Sequence, residues 1–309
     1  MNRESTSAGP LTAVESVLRC PVCADDLVVA ADHRSLVCTA SHRFDIARQG
    51  YVSLTDGRPG QHLSDTAPMV AARRRVHACG FFDPVATAVA HAVQRTATTD
   101  RPNVVADAGA GTGHYLATAL DGDDRLRGLG IDLSKYCARA VARCHPRAAA
   151  LVADVWRPWP IRTASVGVVL SIFSPRNIDE FARVLHPGGT LVVVTPRPDH
   201  LAEIVGPMGM LEVGADKDTR LRMATAAHFD LVDHTDLRLA RGLDAALVAD
   251  VVAMGPSAFH RSAGDILADA ETLAAASGGH LDVTVSVGVS VFRPRGAGQS
   301  ASMSTSAPA

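Results

Sequence analysis

The chain has 309 residues, 47% of them hydrophobic and only 4% aromatic, with a formal net charge of −2. That length accommodates one large domain and one small one, with a core filled by aliphatic side chains and alanine. A charge near zero excludes a wholly polycationic nucleic-acid binder, and the lack of any apolar run near ~20 residues excludes a membrane-spanning helix and a membrane partner. The six cysteines show no disulfide-like framework, so a reduced, cytoplasmic setting is expected.

In chain order, residues 1–12 read as a flexible leader, polar and without a signal-peptide layout. Residues 13–54 read as a small metal module. Within it, Leu27-Val28-Val29-Ala30 and Ser35-Leu36-Val37-Cys38 are expected to pair across a turn at Ala31-Asp32-His33-Arg34. Residues 55–66, rich in Gly, Pro, Asp and Ser, read as a mobile linker. Two helices follow, Ala67 to Cys79 and Pro84 to about Gln94, which completes a linker-and-helix region over 55–99. From residue 100 to 295, short apolar runs alternate with helical patterns. Val104-Val105-Ala106, Arg127 to Ile131, Ala149 to Ala153, Val166 to Leu170 and Thr190 to Val194 are the expected strands, with helices between them. This alternation predicts an α/β fold with an open, mainly parallel, doubly wound sheet. Val283 to Phe292 alternates strongly and reads as a last strand. Residues 296–309 have the composition of a disordered tail.

Two motifs carry chemistry. Cys20-Pro21-Val22-Cys23 is followed after fourteen residues by Cys38-Thr39-Ala40-Ser41-His42. Three thiols and an imidazole in a C-x2-C…C-x3-H pattern suit tetrahedral Zn2+, with Cys20, Cys23, Cys38 and His42 as ligands and no position left open for catalysis. The bland alternative is a coincidence of reduced buried thiols. The second motif is Asp107-Ala108-Gly109-Ala110-Gly111-Thr112-Gly113, a glycine-rich turn between a strand and a helix. Its G-x-G-x-G spacing differs from the dinucleotide G-x-G-x-x-G, with His114 where that pattern has its last glycine. Asp132 ends the next strand, where a carboxylate accepts from ribose hydroxyls. Asp154 ends the third, where an adenine amino group could be met. Taken singly, each aspartate could equally cap a helix.

Asp107, Gly109, Gly111, Gly113, Asp132, Asp154 and Pro187-Gly188-Gly189, in that order, resemble the class I S-adenosylmethionine-dependent methyltransferases, whose fold is Rossmann-like. With the four metal residues, the chain resembles more narrowly the bacterial 23S rRNA (guanine-N1)-methyltransferases of RlmA type, which carry a zinc-ribbon-like N-terminal module. The narrower resemblance includes Phe44 to Val52, Asp65 to Arg74, Gly80-Phe81-Phe82-Asp83-Pro84 and Thr195 to Leu201. It implies methylation of N1 of a guanine in hairpin 35 of 23S rRNA, S-adenosylmethionine as cofactor, structural Zn2+, and a homodimer. It also implies that Phe82, Gly111, Thr112 and His200 complete the cofactor pocket; from the residues alone, His200 reads as a surface residue at a helix N-terminus. Asp154-Val155-Trp156 and Val252 to Ser257 look more like the branch linked to tylosin-type macrolide resistance.

Guanine N1 bears a proton that must leave for methyl transfer, so a base or a stabilised O6 is required; no residue of the sequence declares itself as that base. Ser171 to Asn177, after the fourth strand, lacks the Asn/Asp-Pro-Pro-Tyr/Phe arrangement for exocyclic amines, and Phe173 could stack on a base or fill the core. N1 lies on the Watson–Crick edge, so the target must be unpaired. Arg48, Arg73, Arg74 and Arg75 are the expected phosphate contacts; the alternative is a solvated helix face. Two further readings compete: a methyltransferase acting on quinones or natural products, which leaves the metal module without a task, and a non-catalytic zinc-containing RNA-binding protein, which leaves the intact glycine loop unexplained. On the leading reading the metal module is separable from the cofactor fold, so that loss of Cys20 and Cys23 harms RNA methylation far more than cofactor binding.

Overall fold

The computed structural model describes residues 9–55, 63–96, 103–212, 214 and 216–296. A one-turn helix, α1 (Gly9–Thr12), precedes the short strands β1 (Val28–Val29), β2 (Ser35–Val37) and β3 (Arg43–Asp45). They form a three-stranded antiparallel sheet in which Val28 faces Val37 and Leu36 faces Phe44. After β4 (Tyr51–Ser53) come α2 (Ala67–Ala78) and α3 (Asp83–Thr96). The chain then runs β5 (Val104–Ala108), α4 (His114–Asp121), β6 (Arg127–Asp132), α5 (Lys135–Val141), β7 (Ala148–Val152), β8 (Val166–Ile172), α6 (Ile178–Val184) and β9 (Leu185–Pro196). It ends with α7 (Ala202–Val205), α8 (Lys217–Thr225), β10 (Phe229–Leu243), α9 (Ala245–Ala253), α10 (Ala263–Ala276) and β11 (Leu281–Pro294).

Eight strands make one large sheet in the order β10-β11-β9-β8-β5-β6-β7-β4. The strands from β4 to β9 are parallel, and β11 lies antiparallel between β9 and β10. Every residue of β5, β7 and β8 is buried, as expected of parallel strands covered on both faces. One face carries Val105, Leu170, Val192 and Val285 and packs against α2 to α5, α9 and α10. The other carries Ala106, Leu129, Leu151 and Val169, against α6, α8 and the N-terminal module. The chain order reverses at β5, whose neighbours are β6 and β8. A crevice at that switch point, past the strand C-termini, is the usual place for a ligand.

Three expectations differ from the structure. Residues 9–12 of the expected leader are helical, and Leu11 is fully buried. The metal module is not separate from the sheet. Its strand β4 pairs with β7, Val52 opposite Leu151, and Leu11, Val14, Leu18, Leu27 and Leu36 join the core beneath the sheet. Each fully buried leucine contributes about 2 kcal/mol. Finally, no helix joins β7 to β8. The connecting loop instead receives the module: Leu18 bridges Ile161, Arg162 N–H donates to Val17 O at 2.8 Å, and Arg19 N–H donates to Pro160 O at 3.1 Å. The module thus covers the sheet where a crossover helix would otherwise lie. Residues 1–8, 56–62 of the expected linker and 297–309 of the expected tail fall outside the described residues.

Candidate active site and metal centre

β5 delivers Asp107 to the sheet's C-terminal edge, and the turn that follows feeds α4. Gly109, Gly111 and Gly113 all have left-handed backbone, with φ of +71°, +56° and +78°. A side chain at Gly113 would also place its Cβ 2.6 Å from Cys144 Sγ, so only glycine fits. Asp107 is 1% exposed, and its Oδ2 has no hydrogen-bond partner among the described residues. Burial, then the charge of Asp132, pushes its carboxyl up to about 7. Asp132 accepts from Gly111 N–H at 2.9 Å and Ser134 N–H at 2.8 Å. Burial pushes it up to about 6 against the pull of those two donors. Two aspartates kept out of water beside one turn, one with an orphaned oxygen, call for a cationic, hydrogen-bonding ligand.

They open onto a cavity of about 520 Å³, which Asp154 and Thr112 also line, a size suited to a small-molecule cofactor. Asp154 Oδ1 accepts from Trp156 N–H at 2.9 Å, and Trp156 itself is 50% exposed on the cavity wall. Phe82, Phe173 and His200 line the same cavity as an aromatic wall. His200 stacks on Phe173 at 5.7 Å and 25°, and on Phe82 at 6.3 Å and 30°. His200 is buried rather than at the surface, and its Nδ1 accepts from Ser286 N–H at 3.2 Å. The ring therefore carries its proton on Nε2. Burial holds its pKa down at about 4, so it is neutral at ordinary pH. Phe173 has φ +52° and is 38% exposed. A left-handed aromatic residue is strained backbone at a ligand-facing turn, and it holds the ring at the cavity rather than in the core.

The four arginines expected to meet RNA are split by the fold. Arg48 and Arg74 are exposed. Arg75 donates from Nε to Asp250 at 2.7 Å. Arg73 turns inward: it pairs with Asp65, donates to Met254 O at 2.7 Å, and lies against Gly111 in the cavity wall. Met69, Arg73 and His77 are four residues apart and share one helical face, which was the available signal for Arg73's direction. Asp65, His77 and Tyr115 also line the cavity and were not singled out from sequence. His77 Nδ1 hydrogen-bonds Thr112 Oγ1 at 2.8 Å, and burial holds the ring down at about 3. Ser134 Oγ donates to Asp65 O at 2.6 Å, which fastens the end of the expected linker to the site.

In the metal centre, Cys23 and Cys38 sulfurs are 3.7 Å apart, and His42 Nδ1 is 3.6 Å from Cys20 Sγ and 3.4 Å from Cys38 Sγ. All four ligand atoms lie within 4.8 Å of one another. Tetrahedral Zn–S bonds of about 2.3 Å put sulfurs roughly 3.8 Å apart, so the donor set fits Zn2+. Val22 N–H donates to Cys20 Sγ at 3.4 Å, the kind of outer contact that holds a thiolate ligand in place.

Residues 18–61 match the family described as RlmA, N-terminal, a zinc ribbon, and residues 106–193 match a methyltransferase domain family. The chain is 43% identical to the 23S rRNA (guanine(748)-N(1))-methyltransferase of Streptomyces fradiae, over 90% of this chain and 96% of that one. It is 42% identical to a putative 23S rRNA (guanine-N(1)-)-methyltransferase of Micromonospora griseorubida, over 90% and 97%. The cavity suits the S-adenosylmethionine that such a domain uses, and the Cys3His centre suits the ribbon's zinc. The chain belongs to the 23S rRNA (guanine-N1)-methyltransferase family.

Proposed function

We propose that the protein methylates N1 of an unpaired guanine in the hairpin 35 region of 23S rRNA, in the cytoplasm. The observation that carries this reading is one cavity lined both by the orphaned carboxylate of Asp107 and by a part-exposed aromatic, Phe173, held there by left-handed backbone. The relative from Streptomyces fradiae is named for guanine 748, and the equivalent guanine is the proposed target.

When bound, S-adenosylmethionine supplies the methyl group as an electron-poor carbon on a sulfonium. Asp107 and Asp132 would hold its cationic and hydroxyl-bearing parts, Asp154 would meet its base, and Phe82 and His200 would pack against it. Phe173 offers a stacking surface to a guanine that has left its stack. His200, neutral and protonated on Nε2, is a donor to an oxygen such as O6, so it stabilises charge there, and the N1 proton leaves to solvent water. Positioning thus carries much of the catalysis. Cys20, Cys23, Cys38 and His42 would hold Zn2+ with four protein ligands, which leaves it a structural task.

Labelled methyl transfer to 23S rRNA, with 1-methylguanosine as product and a reverse-transcription stop at the guanine, is the expected result. Transfer to a metabolite with none to RNA would sink the reading. The metal module's place against the sheet gives it a structural task, which a small-molecule enzyme could share; support for RNA therefore comes from the relatives and the exposed Phe173. Macrolide resistance and a homodimer are part of the same proposal. A host expressing the protein is expected to tolerate more tylosin, and sedimentation should give twice the chain mass.

A further inference from the structure

A second group of cations stands beside the aromatic wall, away from the zinc-side arginines. Arg176 follows Phe173 by three residues in the loop after β8. Its Nε is buried and bonds to nothing among the described residues. Lys217, one of only two lysines in the chain, opens α8. The next residue fastens that helix to the end of β9: Asp218 Oδ1 accepts from Thr195 Oγ1 at 3.1 Å, and Asp218 lies 3.9 Å from Arg197. β8 and β9 are neighbours, with Ile172 opposite Val194, so both cations stand over the sheet end that carries Phe173.

No ion pair engages Arg176 or Lys217 among the described residues. Asp218, whose charge reaches Arg176, makes no ion pair with it and instead accepts from Thr195 Oγ1 and lies 3.9 Å from Arg197. The two cations also oppose each other. Lys217 is held below its ordinary range by partial burial and by Arg176's charge, and Arg176 below its own by burial. Lys217's charge reaches His200 as well. Partly buried like charges without an anion are unfavourable in an isolated protein. A ligand anion between them removes that opposition, and a planar guanidinium beside an ammonium is suited to a phosphate.

We propose that Arg176 and Lys217 clamp a phosphodiester of the nucleotide that enters over Phe173, a contact of the methyltransferase domain with RNA independent of the zinc ribbon. It rests on the RNA reading above. It separates two tasks: exposed Arg48 and Arg74 meet the hairpin at large, and Arg176 and Lys217 hold the reacting nucleotide.

The test uses the full zinc-loaded chain, a 23S hairpin RNA, and the variants Arg176→Ala, Lys217→Ala, both together, and Arg176→Lys with Lys217→Arg. The double alanine variant is expected to raise the KM for RNA about tenfold and to reduce the salt slope of RNA binding by roughly 0.7 per lost contact. S-adenosylmethionine affinity should stay within about twofold, and the charge-keeping pair should recover most of the RNA affinity. An unchanged KM and slope, with the wild type active on RNA, would overturn the clamp alone. A matching loss of cofactor affinity would also overturn it, because the anion would then be the cofactor's carboxylate. A wild type that leaves RNA unmethylated would overturn both this proposal and the reading beneath it.

Discussion

Asp107 is the residue on which the proposed cofactor binding and stability pull in opposite directions. Its folded carboxyl titrates near 7 against an ordinary 3.8. A raised acid pKa means that the folded state binds the proton more tightly than the unfolded state. Stability from this group is therefore full below about 3.8 and declines as pH rises to about 7. Asp107→Asn removes that decline. At pH 8 the cofactor-free variant should melt a few degrees higher than the wild type, about 2–4 °C per kcal/mol for a chain of this size, while calorimetry shows S-adenosylmethionine affinity at least about tenfold weaker. A lower melting temperature would show that the carboxylate has a partner in solution. Arg73 gives a second residue-scale prediction. Because it ties Asp65 to Met254 O at the cavity wall, Arg73→Ala should weaken cofactor binding by about tenfold or more, whereas Arg74→Ala should weaken RNA binding alone. Asp107, the glycines and Asp132 were legible in sequence because strand, turn and helix fix their spacing. Arg73 was not, because three consecutive arginines read as one patch until the helix assigns each to a face.

At the scale of elements, the glycine turn is the least forgiving. Gly113→Ala adds a Cβ in left-handed backbone and 2.6 Å from Cys144 Sγ. It should lower stability by roughly 2 kcal/mol and displace the turn, seen as a lower melting temperature with weaker cofactor binding. Strands β5, β7 and β8 were readable because continuous burial leaves nearly uninterrupted apolar runs, and β6 and β9 because their central stretches are buried. β10 was not. It is an edge strand of mixed exposure, and Asp230, Asp233 and His234 leave its first half without alternation. Charges of that kind keep an edge from pairing with another chain, so they hide the strand from sequence while protecting it. β4, three residues long, carries too little pattern to be seen, although its pairing with β7 decides how the module sits.

At the scale of the whole molecule, the zinc centre and the cofactor site share a scaffold. Sequence spacing alone treats them as separable, but the core beneath the sheet contains Leu18, Leu27 and Leu36 together with Leu151 and Val169. Stripping zinc with a chelator, or replacing Cys20 and Cys23 by Ala, should therefore lower the melting temperature by about 5 °C or more and weaken S-adenosylmethionine binding together with RNA methylation. Loss of RNA methylation with an unchanged melting curve would argue for an independent module. The pairing of Tyr51–Ser53 with a strand at 148–152 also bears on how the chain is made. The edge strand leaves the ribosome nearly a hundred residues before its partner. A metal captured by Cys20, Cys23, Cys38 and His42 can order the ribbon first and leave β4 as a template on which β7 docks. Zinc then acts as an assembly factor for the catalytic sheet, and refolding without it should be slower, since distant strand pairing must be found without a preformed edge.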